Sequence, residues 1–483
     1  MLRWPVLLAL LTAVPAAPGA QDEPQAALAA RGRELMTAGR YSQAVPVYRE
    51  LVAALPGNPG PLLNLGMALH LSGASREAVA PLAEALEREP ESFPAALFLG
   101  AARLRSGQAR AAIAPLQKAV RLQGDHREAR SLLVDALLAE GRRAQAEPQL
   151  VALSRLAPRD PSVWFTLGKT YEALATEAFG VLLERGPESA FTLALVADAR
   201  RDEGRPALAL DLYRKASERA PGMRGLHVAI AALEREAGRL AEAAVEEEKE
   251  RRLPRPDCTR VPLECRFAEG RHPEVVRAAS GSKTLASAYW LARSSNELAV
   301  EAFRRLEALP PSAPLHEWRA GQLRDEGRFA ESAEEWRKAI GLSPRETRLR
   351  TELAVTLRLN QDLAGAQATL EEALRERPEA ALASYLLGDV LLARQQPEAA
   401  IPPLEKAVRL DSALAHAQGA LGRAYALVGR AAEAVPHLER ALAIDEDGSL
   451  RLQLARAYRA AGREADAERT LAEWQRLRKL TPP

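Results

Sequence analysis

The 483-residue chain has only two cysteines, too few for a disulfide-dense scaffold or a four-cysteine zinc site. Aromatic residues make up 5% of it, which argues against a β-sandwich or barrel, whose strands favour aromatic and β-branched side chains. Neither sign of charge is in excess. The 66 Lys and Arg residues against 64 Asp and Glu leave a net charge of +2, which argues against bulk electrostatic binding of nucleic acid. After residue 20 no stretch approaches the roughly 20 apolar residues that span a bilayer. What the chain does have is Ala and Leu in quantity. With 47% hydrophobic and 27% charged residues, it has the composition of a soluble, folded protein. Its length calls for several domains or one long repeat array.

Residues Met1 to Ala20 differ from the rest. Arg3 is followed by an apolar run from Val6 to Val14 and by small residues from Pro15 to Ala20, and then by polar Gln21, Asp22 and Glu23. This is the pattern of a secretory signal peptide, with cleavage after Ala16, Gly19 or Ala20. An uncleaved anchor is the alternative, but the apolar run is short for it. No cysteine stands near the cut to carry a lipid. The expectation is a periplasmic or secreted protein with no stable membrane insertion.

The remainder is periodic. Gly39, Gly73, Gly107 and Gly141 are spaced by 34 residues, each ahead of an alanine at Ala44, Ala78, Ala112 and Ala146. Prolines keep a similar beat at Pro56, Pro90 and Pro158. Apolar residues recur at intervals of three and four on both sides of the glycine, as in Leu62, Leu65, Leu69 and then Val79, Leu82, Leu86. That spacing predicts two amphipathic helices joined by a tight turn. Glycine relieves strain where the first helix ends, and proline stops the second.

Trp164, Leu167, Gly168 and Tyr171 match the pattern Trp-x2-Leu-Gly-x2-Tyr. Partial matches are Leu65-Gly66 with Ala78, Leu99-Gly100 with Ala112, Leu387-Gly388 with Ala400, and Leu421-Gly422 and Tyr425 with Ala434. The chain from about Gln25 onward therefore resembles the tetratricopeptide repeat (TPR) family. The resemblance implies an all-α, right-handed α-solenoid of about fourteen helix pairs, each stabilised by its neighbours. Units are expected to start near residues 25, 59, 93, 127, 161, 190, 224, 256, 284, 313, 347, 381, 415 and 448. These fall into a signal (1–20), an array (25–160), a second array beginning with a shortened unit (161–253), an irregular part (254–312) and a carboxyl-terminal array (313–483). Gly66, Ala78 and Ala85 are expected where helices cross.

Two units are short. Between Tyr171 and Ala175 the turn glycine is missing, and Trp164, Leu167, Tyr171, Leu174, Ala178 and Val181 continue in one phase. One continuous helix from about Ser162 to Glu184 is predicted, against the helix-weakening Gly168 and Gly180. Glu172–Phe179 is echoed by Asn296–Phe303, Arg201–Arg205 by Arg324–Arg328, and Tyr213–Ala216 by Trp336–Ala339. These echoes point to a duplicated block and a second long helix near 284–312, with the two long helices dividing the array into arms.

Sites for chemistry are scarce. His316-Glu317 opens like a zinc-protease motif, but Ala320 stands where the second His is required. The seven histidines never pair at i, i+4. Ser280-x-x-Lys283 lacks the motifs that accompany it in acyl-transfer enzymes. Gly281-Ser-Lys-Thr284 lacks phosphate-loop spacing. The irregular segment is too small to enclose an active-site pocket of its own. The expectation is no catalysis, no metal and no cofactor.

Family groove positions carried over residue by residue give Leu63, Met67, His70 and Leu97 as an apolar, adaptable end. They give Tyr385, Arg423, Arg456 and Arg459 as an end suited to acidic ligands. The family's carboxylate-clamp pattern is not matched: at the clamp positions of the first three units only Asn64 fits, against Ala29, Arg33, Pro94 and Phe98. The resemblance thus implies a scaffold for protein or peptide partners. The alternative is an accessory subunit delivering substrates to a separate envelope-assembly or polysaccharide-export enzyme.

Cys258 and Cys265 flank Pro262. Proline suits a first helical position, which leaves Cys258 in the preceding loop, where it can meet Cys265. In an exported chain this favours a disulfide over two free buried thiols. Alkylating the unreduced, denatured protein should therefore add no mass; two adducts would show free thiols.

Overall fold

The computed structural model describes residues 23–480, so the signal expected at Met1–Ala20 lies outside the described residues. Among these residues the regular structure is helical throughout. They form two compact units, one reaching Ala308 and one beginning at Leu309.

The first unit holds α1 (Glu23–Thr37), α2 (Tyr41–Ala54), α3 (Pro59–Leu71), α4 (Ser75–Arg88), α5 (Phe93–Arg105), α6 (Ala109–Leu122), α7 (Arg127–Ala139) and α8 (Arg143–Leu156). A long helix, α9 (Pro161–Arg185), follows. Then come α10 (Ala190–Asp202), α11 (Pro206–Arg219), α12 (Leu226–Glu236), α13 (Leu240–Arg252), the short α14 (Pro262–Ala268) and α15 (His272–Ala279), and a second long helix, α16 (Leu285–Glu307). The second unit holds α17 (Ala313–Asp325), α18 (Phe329–Leu342), α19 (Thr347–Leu359), α20 (Leu363–Glu376), α21 (Ala381–Ala393), α22 (Pro397–Leu410), α23 (Ala415–Leu427), α24 (Ala431–Ala441), α25 (Ser449–Ala460) and α26 (Glu464–Leu480).

The pair α3–α4 shows how a unit is built. Asn58 caps α3 by accepting a hydrogen bond from the Gly60 amide at 3.0 Å, and Pro59 fills the first helical position. At the other end Gly73 takes φ +97°, so that its amide donates to the His70 carbonyl and the Ala74 amide to the Leu69 carbonyl. An L side chain is costly at that φ, which is why glycine recurs there.

In several pairs the two helices cross at a second glycine. A Cβ on Gly66 would stand 2.3 Å from Leu82 Cγ, and the same clash arises for Gly100 with Leu116, Gly388 with Leu404 and Gly422 with Leu438. In each case the leucine lies sixteen residues further on. It is fully buried and fills the space that a Cβ on the glycine would occupy.

Polar links repeat as well. The first helix bonds the second nineteen residues on in Arg130–Gln149 (2.5 Å), His227–Glu246 (2.6 Å), His316–Glu335 (2.7 Å) and Gln418–His437 (2.7 Å). Tyr171, Tyr425 and Tyr458 donate back to Glu147, Glu405 and Glu439 of the preceding helix. Three histidines are thereby committed to packing.

The shortened units are single helices, of 25 and 23 residues. They do not stand apart as the axes of two arms. Gly168 takes up Phe303, whose ring carbon would lie 2.6 Å from an added Cβ, and Gly186 meets Leu285 in the same way at 2.8 Å. The two contacts set α9 and α16 antiparallel in constant register. That register also brings Phe179 opposite Ala292, the duplicated counterparts of Phe303 and Gly168; Phe179 packs on the cluster that contains Ala292. Each long helix lacks the second helix of a pair, and each covers the other's exposed stripe.

A purely nearest-neighbour array is therefore corrected within the first unit. Helices α10 to α15 leave α9 and return to it through α16. Ala178 and Leu182 of α9, Ala194 of α10, Tyr213 of α11, Ile230 of α12, Val275 of α15 and Tyr289 of α16 share one buried cluster. On the way, Pro262 opens α14, and Cys258 in the preceding turn is bonded to Cys265, with Cα atoms 5.7 Å apart.

Gly168 and Gly180 lie on the same helix with opposite surroundings, since nothing approaches within 4 Å of a Cβ on Gly180. Gly168→Ala should destabilise the chain by about 1–3 kcal/mol through overpacking against Phe303. Gly180→Ala should stabilise it by about 1 kcal/mol through helix propensity. Thermal unfolding of both variants checks the pair, and Phe303→Leu should relieve the first but leave the second unchanged.

Candidate functional site

The residues predicted for the amino-terminal groove are mostly consumed by packing. Leu63 is half-buried, but Met67, His70 and Leu97 are 8%, 4% and 2% exposed. Met67 packs in the core of α1 to α5, and Leu97 in that of α5 to α8. His70 Nδ1 lies 3.1 Å from Ser75 Oγ, and its ring stands edge-on to Phe98 at 6.0 Å. Burial, and next the charge of Arg105, hold its pKa down at about 4.

The carboxyl-terminal residues are arranged differently. Asp389 of α21 takes Arg423 Nη2 of α23 at 3.1 Å and Arg358 Nη1 of α19 at 3.5 Å, one on each carboxylate oxygen. This carboxylate is 17% exposed, while both arginines stay more open. Each arginine keeps a buried Nε with no hydrogen-bond partner. Tyr385 lies one turn before Asp389 and stacks on His416 at 6.1 Å. Burial, and then the Asp389 charge, raise its pKa. Arg456 is exposed and has no ion-pair partner among the described residues. Arg459 Nε lies 3.3 Å from Glu464.

The structure thus links Arg423 and Tyr385 to residues that the sequence reading left out: Arg358, Asp389 and His416. The signal was available in the repeat. Arg358 holds in its unit the position that Arg459 holds in the last one, and Asp389 holds the position of Arg423 and Arg456. Reading these two positions back along the array finds both. The excess of guanidinium over carboxylate in this row suits a ligand that brings its own acidic group.

Among the described residues no group of three His, Cys, Asp or Glu side chains is placed to hold a metal ion. Nor is any described helix long and apolar enough to cross a membrane.

Stacked helix pairs, glycine crossings and a row of polar groups on successive first helices define a helical repeat scaffold. Models of the tetratricopeptide repeat family match residues 35–102, 103–168, 351–415 and 417–452, and the chain belongs to this family. No curated protein matches it. Among solved structures it is similar to MamA (residues 41–end) from Desulfovibrio magneticus RS-1, at 21% identity over 35% of this chain and 97% of that one, with a TM-score of 0.33. It is similar to YrrB, described as a TPR protein with an unusual peptide-binding site, at 20% identity over 35% and 87%, with a TM-score of 0.31. It is also similar to Naa15/Naa10 bound to HypK-THB, at 14% identity over 95% and 94%, with a TM-score of 0.35.

Because His70 is neutral in the fold, the folded state loses ground to the unfolded one as pH falls from the ordinary histidine value of 6.5 towards 4. Denaturation midpoints of the native chain should drop more steeply over that window than those of His70→Gln.

Proposed function

We propose that the chain is an exported, non-catalytic scaffold that holds acid-bearing protein or peptide partners on the arginine row of its second unit. The observation that carries this reading is the sharing of Asp389 between Arg358 and Arg423, with Arg456 unpaired beside them in the repeat register. One carboxylate between two guanidiniums leaves a positive charge uncompensated. The two arginine side chains are 39% and 42% exposed, so a partner's carboxylate can approach the guanidiniums from solvent. Tyr385 and His416 add a flat apolar wall to the same row.

Membership of the TPR family supports a scaffold over an enzyme. The signal-like amino terminus supports export, to the periplasm or beyond the cell. A Cys258–Cys265 bond suits an oxidising compartment of that kind.

An immobilised peptide rich in Asp and Glu should capture the native chain, and capture should weaken with salt. Replacing Arg423, Arg456 and Arg459 together by Ala should lower capture by about tenfold or more while leaving the helical circular dichroism unchanged. Unchanged capture would remove the site.

A further inference from the structure

The closed part of the first unit holds a second arrangement that the arginine row does not use. Arg293 of α16 lies with its guanidinium carbon 4.8 Å from the centre of the Phe267 ring, 5.6 Å from Tyr289 and 6.0 Å from Trp290. These rings also contact one another, Phe267 with Trp290 at 5.0 Å and Tyr289 with Trp290 at 4.9 Å, and Phe191 of α10 closes on Tyr289 at 5.1 Å. Aromatic faces thus wall the cation and take water away from its sides.

A guanidinium has five N–H groups. Here one finds a protein acceptor, with Nη1 donating to the Tyr289 hydroxyl at 3.1 Å. No carboxylate among the described residues lies within 4.0 Å of Arg293. The acid that faces it, Asp198 of α10, accepts from the Tyr213 hydroxyl and has Arg201 at 3.9 Å. The Arg293 nitrogens without a partner are not among the fully enclosed ones, so they can still be reached from solvent. A partly desolvated cation with free, reachable donors favours an anion more than a fully hydrated surface arginine does.

We propose that Arg293, walled by Phe267, Tyr289 and Trp290, is a binding site for a carboxylate attached to an apolar or aromatic group. The planar fork matches the two oxygens of a carboxylate. Tyr289 and Trp290 are buried, so the half-buried Phe267 ring is the one left to meet the apolar part, and the nearby charge of Asp198 disfavours a doubly charged anion such as phosphate. The carboxylate can come from a free peptide carboxyl terminus or from an acidic side chain. The site is independent of the arginine row of the second unit.

The test titrates the full chain calorimetrically with N-acetylphenylalanine, its uncharged amide, the α-amide of N-acetylaspartate and inorganic phosphate. N-acetylphenylalanine should bind, and its amide and phosphate should not. Binding of the aspartate probe would assign the site to side-chain acids as well; its failure would restrict the site to carboxyl termini beside an apolar residue. Arg293→Gln and Arg293→Lys should each weaken binding by about tenfold or more, the lysine variant because it keeps the charge but loses the fork. The chain carrying Ala at Arg423, Arg456 and Arg459 should bind as the native chain does, which separates this site from the other. If Arg293→Gln does not fold, the native chain still decides. N-acetylphenylalanine should protect Arg293 from phenylglyoxal, read by peptide mass. Equal binding of acid and amide, native affinity in Arg293→Lys, or absence of protection would overturn the proposal.

Discussion

Several units of this chain depend on a helix crossing so close that one partner has no side chain. Glycine in the first helix and leucine sixteen residues later occupy a single volume, at Gly66 with Leu82, Gly100 with Leu116, Gly388 with Leu404 and Gly422 with Leu438. The constraint is steric, and it explains why small residues dominate the composition and why aromatics are scarce. It also shows what must happen when a unit loses its turn. Gly168 still presents an empty volume, but the fused helix α9 cannot fold back to fill it. Phe303 fills it from a helix more than a hundred residues away, and the duplicated text makes the exchange reciprocal through Phe179 and Ala292. The closed course of α10 to α15 follows from this one substitution of partner.

Packing also limits where binding can happen. In the amino-terminal repeats the first helices are so apolar that Met67 and Leu97 are drawn into the cores, and His70 goes with them as a neutral ring. In the second unit the corresponding helices carry arginines, aspartate and tyrosine. These cannot be fully buried without partners, so they stay half-buried, and the two arginines share one carboxylate. Charge that the fold cannot neutralise internally is what such a scaffold has available for a ligand.

Much of the fold was legible in the sequence because its determinants are local. Helix starts, turn glycines and the fused helices follow from periodicity within a few turns, and the first helices of most units begin where the 34-residue beat places them. The pairing of α9 with α16 was not legible. An apolar stripe says that a helix face will be covered but does not say by what. The duplication held the clue, since two helices with the same unfilled stripe can cover each other. Site residues fared unevenly for a similar reason. Positions carried over from a family fix direction on a helix, whereas burial depends on the neighbours' size, and Met67 shows the difference. Arg358 and Asp389 hold the same positions as Arg459 and Arg423, but their pairing runs across three stacked units and depends on side-chain reach between helices that periodicity does not fix.

The central claim is that α9 and α16 pair directly and close the first unit. Spin labels on Lys169→Cys and Arg304→Cys, attached without reductant so that the Cys258–Cys265 bond is kept, report on it by double electron–electron resonance. Neighbouring antiparallel helices lie about 10 Å apart, so the account predicts one narrow distribution at the short end of the measurable range. A broad or long distribution, as in an array whose units touch only their sequence neighbours, would contradict it.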